Sequence, residues 1–260
     1  MGEKISLKLP VETIVCLSPA HTEMIYMLQQ ENKLLAVSTY CDYPPEAIKL
    51  EKAGDFLHPD IEKILKLKPS VVISGGGSQK KAIYKLGEMN IPVVVMYPGN
   101  IDGIVEDMIL IGRLTGKEAT AVRLADGILK SVKATSVPAG GKRVKVYAEL
   151  WNNPAMAIGG SGFLNDIIER AGGANIYSDS TSEYPKSSKE EIIKKAPEVI
   201  LFFYEPEKDF TERPWLKLTP AGKNNRIYVI GKKEQDIFLR PGPRCAENIM
   251  LMKKYLAGAK

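Results

Sequence analysis

The stretch Glu62-Lys-Ile-Leu-Lys-Leu-Lys-Pro69-Ser-Val-Val-Ile73 decides how this chain is built. Glu190-Glu-Ile-Ile-Lys-Lys-Ala-Pro197-Glu-Val-Ile-Leu201 repeats its pattern at a constant offset of 128 residues. Each copy opens a short helix with a glutamate and ends it before a proline, which disfavours helical geometry in the residue before it. Each then runs into the β-branched and aliphatic residues of a buried strand. Helix, proline, strand is a common unit, so convergence on one local solution explains the match. An internal duplication explains it too, and makes Glu62 and Glu190 a matched acidic pair, one in each half.

Around the first copy, apolar runs alternate with helix-like stretches. The runs are ETIVCL (12–17), LLAVS (34–38), SVVIS (70–74) and PVVVMY (92–97), and the helical stretches are 19–30, 60–67 and 79–88. Such alternation reads as α/β with a mostly parallel sheet. The continuous runs Val71-Val72-Ile73 and Val93-Val94-Val95 predict strands covered on both faces. From Ile101 to about Lys133 the pattern turns helical, through Ile104, Met108, Ile111 and Leu114 and again through Val122, Ala125, Leu129 and Val132. This is one long helix or two abutting ones, broken if anywhere at Thr115-Gly116.

After the VPAGG loop at 137–141 the alternation resumes with RVKVYAEL (143–150), AMAI (155–158), EVILFFY (198–204) and RIYVI (226–230), with helices at 163–171 and 189–195 and a closing helix over Pro243–Tyr255. A doubly wound sheet rarely carries so long a helical interlude at its midpoint. The expected architecture is therefore α/β with two Rossmann-like lobes, residues 1–114 and 137–260, joined by a long backbone helix over 115–136, with the ligand cleft between the lobes.

The composition, 260 residues with 44% hydrophobic and 26% charged, excludes disorder, collagen-like repeats and a disulfide scaffold. Thirty-six basic residues against 31 acidic leave a net charge of +5 with no basic block, so no nucleic-acid partner is expected. No stretch approaches the roughly 18 to 20 apolar residues of a membrane span, and MGEKISLKLPVE is too polar for a signal peptide. The chain is thus cytosolic or a trimmed mature form, and Met1-Gly2 is compatible with the second. Cys16, Cys41 and Cys245 are too few and too far apart for a zinc knuckle or a redox pair and read as packing thiols.

The search for catalytic chemistry is mostly negative. His21 and His58 are the only histidines and have no ligand spacing, so no metal site is expected and both should be replaceable by glutamine with little effect on folding. Gly75-Gly76-Gly77-Ser78 and Gly159-Gly160-Ser161-Gly162 would hold an anion on backbone N–H groups or would simply be turns. An enzyme reading would place a phosphorylated substrate there, with Asp42 and Glu149 or Glu183 as acid or base. More distinctive are residues at strand ends and in loops: Tyr40 to Pro45, Phe56 in a GDF turn, Trp151, Tyr184-Pro185, and Asp236 to Arg240 before PGPR. Open α/β sheets bind ligands beyond the carboxyl ends of their strands.

An ordered set of motifs then resembles a known family. These are Ile14-Val-Cys-Leu-Ser18-Pro19-Ala20-His21-Thr22-Glu23, Tyr40-Cys-Asp42-Tyr43-Pro44-Pro45-Glu46-Ala47, Asp60-Ile-Glu62-Lys-Ile-Leu, Ala171-Gly172-Gly173-Ala-Asn175-Ile and Arg240-Pro-Gly-Pro-Arg244. From about residue 12 to 256 the chain resembles the helical-backbone class of ABC-importer substrate-binding proteins, and most of all its cobalamin carriers. The resemblance implies a non-enzymatic monomer without a cofactor of its own, periplasmic or anchored at the cell surface. It would carry a cobalt or iron chelate (a corrinoid first, a ferric siderophore second, haem third) to an ABC permease and its ATPase.

Residue by residue, the resemblance implies ligand contacts at Tyr40, Phe56, Tyr184, Asp236 and Arg240, to which Trp151 is added by its place after a strand. It implies permease-docking knobs at Glu62 and Glu190. Where cobalamin carriers have tryptophan, this chain has Phe56 and Tyr184; where they have tryptophan and arginine, it has glycines at 75–77; and Trp151 stands in place of glycine. A long interlobe helix implies small movements on binding.

Overall fold

A computed structural model describes residues 5–138, 140–205 and 213–258. Met1-Gly2 and the Thr211-Glu212 part of the TERPW stretch lie outside the described residues. The chain forms two compact units, one of the residues up to Pro98 with Asp102–Leu129, the other of Gly99–Ile101 with the residues from Lys130 on.

The first unit contains, in order, β1 (Ile14–Cys16), α1 (Pro19–Met27), β2 (Leu34–Val37), α2 (Ile61–Leu67), β3 (Val71–Ser74), α3 (Lys80–Glu88), β4 (Val93–Val95), α4 (Ile101–Thr115) and α5 (Glu118–Thr135). Its strands pair in parallel in the order β2-β1-β3-β4. Val15, Leu17, Ala36, Ile64, Val72 and Leu86 form one buried cluster on this sheet. The helical interlude is two helices, parted at Gly116, whose φ of +76° suits glycine. A Cβ on Gly112 would lie 2.3 Å from the Cβ of Ala121, so glycine lets α4 and α5 approach closely. The boundary between units falls inside α5, after Leu129.

The second unit contains β5 (Val144–Asn152), β6 (Ala155–Ala157), α6 (Phe163–Arg170), β7 (Gly173–Asn175), α7 (Lys189–Lys195), β8 (Val199–Phe202), α8 (Pro220–Lys223), β9 (Ile227–Val229), α9 (Lys232–Phe238) and α10 (Cys245–Ala257). β5 is central, with β8 then β9 on one side, and the antiparallel β6 and the parallel β7 sharing the other. With β7 in the place of β2, the parallel strands repeat the order of the first unit. β7, Gly-Ala-Asn, has no β-branched residue to announce it. Its Gly173 is imposed by packing, since a Cβ there would lie 2.7 Å from Ile168 Cγ2.

The repeated stretches match in detail. Asp60 caps α2 through Lys63 N–H, and Ser188 caps α7 through Glu191 N–H. Each helix has seven residues and one fully buried side chain, Ile64 or Ile192, and each strand that follows is buried throughout. β4 departs from expectation: Val93 and Val94 are half-buried and Val95 is exposed. It is the edge strand of its sheet, so the unbroken apolar run does not mean cover on both faces.

Candidate ligand-binding site

In the first unit the candidate residues gather beyond the carboxyl ends of the strands. The turn that carries Phe56 is built locally. Gly54 has φ +90° and leaves no room for a Cβ, which would sit 2.4 Å from His58 O. Asp55 Oδ1 accepts hydrogen bonds from His58 N–H (2.6 Å) and Leu57 N–H (2.7 Å), and these, the first above all, hold its carboxyl below the usual range. Phe56 is thereby laid over the turn after β3, 3.1 Å from where a Cβ of Gly75 would be. Tyr40, 47% exposed, follows β2.

Gln79, which no sequence motif singles out, ties these parts together. Its buried Oε1 accepts from Ser74 Oγ (2.5 Å) and Gly75 N–H (3.1 Å), while Nε2 donates to Leu17 O (3.2 Å) and Phe56 O (3.0 Å). One amide thus joins the ends of β1 and β3 to the Phe56 turn with all its hydrogen-bonding capacity engaged. Gly76 N–H is also used, by Ser74 Oγ at 3.2 Å, so these glycines form a built turn in which two N–H groups are already satisfied.

Close by, His21 is buried between Ser18 Oγ, 2.7 Å from Nδ1, and Asp107 Oδ2, 3.0 Å from Nε2. Replacement by glutamine would disturb both partners, which corrects the expectation that both histidines are dispensable; His58 is exposed. Burial, and then the neighbouring Cys41, push the Cys16 thiol up to about 12, and all three cysteines are buried thiols outside any disulfide.

In the second unit, Trp151 stands near the end of β5, 59% exposed, with its Nε1–H donated to Asn153 O at 3.0 Å within the hairpin to β6. Tyr184 donates its hydroxyl to Glu183 Oε1 at 2.7 Å. The glycines at 159–160 are required by the 178–185 loop, since Cβ atoms there would lie 1.9 Å from Ser182 O and 2.1 Å from Ser178 O. Their N–H groups bond Glu183 O (2.8 Å) and Ser180 O (3.1 Å), so they are not an anion cradle. Asp236 and Arg240 come together at 3.2 Å, one helical turn apart, and Lys232 shares the same carboxylate oxygen at 3.2 Å. The Arg240 side chain is only 10% exposed.

The dominant electrostatic feature pairs a carboxylate on β5 with an arginine 64 residues further along the chain. Glu149, fully buried within β5, accepts two hydrogen bonds from Arg213 Nη1 (2.8 and 3.0 Å) and one each from the hydroxyls of Tyr147 and Tyr204. Arg213 also reaches Asn152 and lies over the Phe202 ring at 5.5 Å. Burial, and then this carboxylate, push both tyrosine hydroxyls well above the usual value. Accepting four hydrogen bonds from three side chains, Glu149 is a structural carboxylate, which removes it from the acid–base role of the enzyme reading.

Glu62 and Glu190 occupy equivalent exposed positions in the first turns of α2 and α7. Among the described residues no group of three or more His, Cys, Asp or Glu is placed to hold a metal ion, and no helix is long and apolar enough to cross a membrane.

The comparisons with known proteins agree with this arrangement. A vitamin B12-binding protein of Vibrio parahaemolyticus is 25% identical over 254 residues, covering 96% of this chain and 91% of the relative. The crystal structure of the periplasmic vitamin B12-binding protein of Vibrio cholerae superposes with a TM-score of 0.77 at 25% identity, covering 95% of this chain and 97% of that one. A possible iron-binding, periplasmic solute-binding protein of Staphylococcus epidermidis gives a TM-score of 0.81 at 27% identity, covering 95% and 98%. The family model "Periplasmic binding protein" matches residues 14–234. With two repeated α/β units and solvent-facing aromatics at their strand ends, the chain belongs to the periplasmic binding protein family, the substrate-binding components of ABC importers.

Proposed function

We propose that this protein captures a metal chelate, a corrinoid before a ferric siderophore and either before haem, and hands it to an ABC permease and its ATPase from the periplasm or the cell surface. The carrying observation is that each unit sets a half-exposed aromatic at the carboxyl end of a strand, Tyr40 after β2 and Trp151 on β5. Aromatic faces give a bulky ligand large contact area at little conformational cost. In this reading Tyr40, Phe56, Trp151 and Tyr184 contact the chelate, Asp236 and Arg240 supply polar contacts, and Glu62 and Glu190 engage the permease. The metal arrives already coordinated, so no protein metal cage is required.

A corrinoid leads because Arg240 is held against Asp236, an arrangement suited to amide groups, and because of the likeness to vitamin B12-binding proteins along nearly the whole chain. The Staphylococcus epidermidis neighbour supports the ferric chelate as the second reading. The test mixes the protein separately with cyanocobalamin, a ferric siderophore and haemin, desalts it, and reads visible absorbance and binding heat. Retention of cyanocobalamin is expected. Retention of the ferric chelate alone moves the cargo to the second class, and retention of none overturns the reading. Arg240→Ala separates the classes further, since its loss costs far more with an anionic siderophore than with an amide-rich corrinoid.

A further inference from the structure

We infer that Tyr97, set over Gly76, is a further ligand-contacting residue, and that with Phe56 over Gly75 it forms an aromatic subsite for a flat face of the bound chelate; the inference rests on the binding role proposed above. Two consecutive glycines each face an aromatic side chain. A Cβ on Gly75 would meet Phe56 Cε2 at 3.1 Å, and one on Gly76 would meet Tyr97 Cβ at 3.1 Å and Cγ at 3.5 Å. A Cβ at 75 would press on the Phe56 ring, and one at 76 on Tyr97 Cβ and on Val95 Cγ1 at 3.3 Å, so the bare backbone lets both aromatic residues pack closely against the turn.

The location is that of a ligand site. The chain leaves β1 for β2 on one side of the sheet and β3 for β4 on the other, so β1 and β3 flank the point where the topology switches direction. Open α/β sheets receive ligands outside the carboxyl ends of the strands at that point. Gln79 spans it, holding the glycine turn and Phe56 rigidly together.

Tyr97 is 45% exposed just beyond the end of β4, and Val95 on the same edge strand is exposed as well. With the N–H groups of Gly75 and Gly76 already bonded inside the turn, the surface offers aromatic and aliphatic faces rather than a nest of free donors. That chemistry takes the plane of a macrocycle or an aromatic chelator, and does not suit a phosphate.

The test titrates cyanocobalamin, haemin and a ferric tris-catecholate into the wild type, Tyr97→Ala, Tyr97→Phe and Tyr40→Ala, with melting temperatures measured alongside. For whichever chelate binds, Tyr97→Ala is expected to weaken affinity about tenfold, the effect of a buried aromatic anchor, with the melting temperature held within about 2 °C. Tyr97→Phe, which keeps the ring, recovers most of the loss. If Tyr97→Ala does lower the melting temperature, Tyr97→Leu keeps apolar bulk without an aromatic face: weakened binding supports the subsite and wild-type binding overturns it. Wild-type affinity in Tyr97→Ala beside lost affinity in Tyr40→Ala overturns the subsite and leaves the proposed role standing. If no probe binds the wild type, the role and the subsite fall together.

Discussion

Lys68 and Ala196, 128 residues apart, end α2 and α7 in the same left-handed conformation, with φ of 49° and 52°. Each donates its N–H back to the helix, to Ile64 O and Ile192 O, and each precedes the proline that leads into a buried strand. A left-handed residue closes a helix well but strains any side chain with a Cβ, by about 1 to 2 kcal/mol. Two non-glycine residues under the same strain, between matching caps and matching prolines, favour duplication over convergence.

The strain is measurable. Glycine relieves it but gains freedom in the unfolded chain, about 0.4 to 1 kcal/mol the other way. Lys68→Gly and Ala196→Gly should each stabilise by about 0.5 kcal/mol net, read as a higher urea midpoint. Stabilisation at one site and loss at the other would argue against equivalent helix ends.

Four of the eleven tyrosines, Tyr147, Tyr177, Tyr204 and Tyr255, carry hydroxyls pushed well above the ordinary value, first by burial and then by Glu149, Glu191 or Glu234. The folded protein holds these protons more tightly than the unfolded chain does. Their contribution to stability is therefore complete below about pH 10, the unfolded value, and is lost as pH rises above it. In a tyrosinate absorbance titration at high pH these four should ionise only as the protein unfolds. A smooth titration of all eleven near pH 10 with the fold intact would contradict the Glu149 and Glu191 networks.

Gln79→Leu should destabilise the first unit by about 2 to 4 kcal/mol, because it orphans buried donors and acceptors at Ser74, Gly75, Leu17 and Phe56. Denaturant unfolding measures the loss, and amide exchange should show Gly75 N–H losing protection first.

Corrinoid binding should quench Trp151, which is solvent-facing, more than Trp215, which packs against the core of its unit. Trp151→Phe should therefore remove most of the fluorescence change, whereas an unchanged quench in that variant would take Trp151 out of the contact set. The loss of affinity at Tyr40→Ala or Tyr184→Ala should be about 1 to 3 kcal/mol.

Glu62→Ala and Glu190→Ala should each weaken binding to the permease complex while chelate affinity stays within about twofold, because both side chains are exposed on the first turns of α2 and α7. Removing one partner of an interfacial charge pair typically costs about 2 to 5 kcal/mol, and raised salt should slow association. Binding assays on a reconstituted permease would show both effects, and lost chelate binding with docking intact would reassign these glutamates.

The sequence by itself determined the local order of the chain: the α/β alternation, α7 at 189–195, α6 to within a residue, the break at Gly116, and the repeat around Pro69 and Pro197. Each depends on periodicity, proline or glycine acting over a few residues. Tertiary structure decided what depends on segments far apart. Val95 is exposed because β4 is an edge, β7 exists because β5 offers it a partner, and His21 is fixed by Asp107, 86 residues away. Gln79 joins Leu17 to Phe56, and Glu149 is neutralised by Arg213, 64 residues on. No window of sequence contains both partners of such a contact, so burial and charge pairing at the strand ends became visible only when the sheets had brought them together.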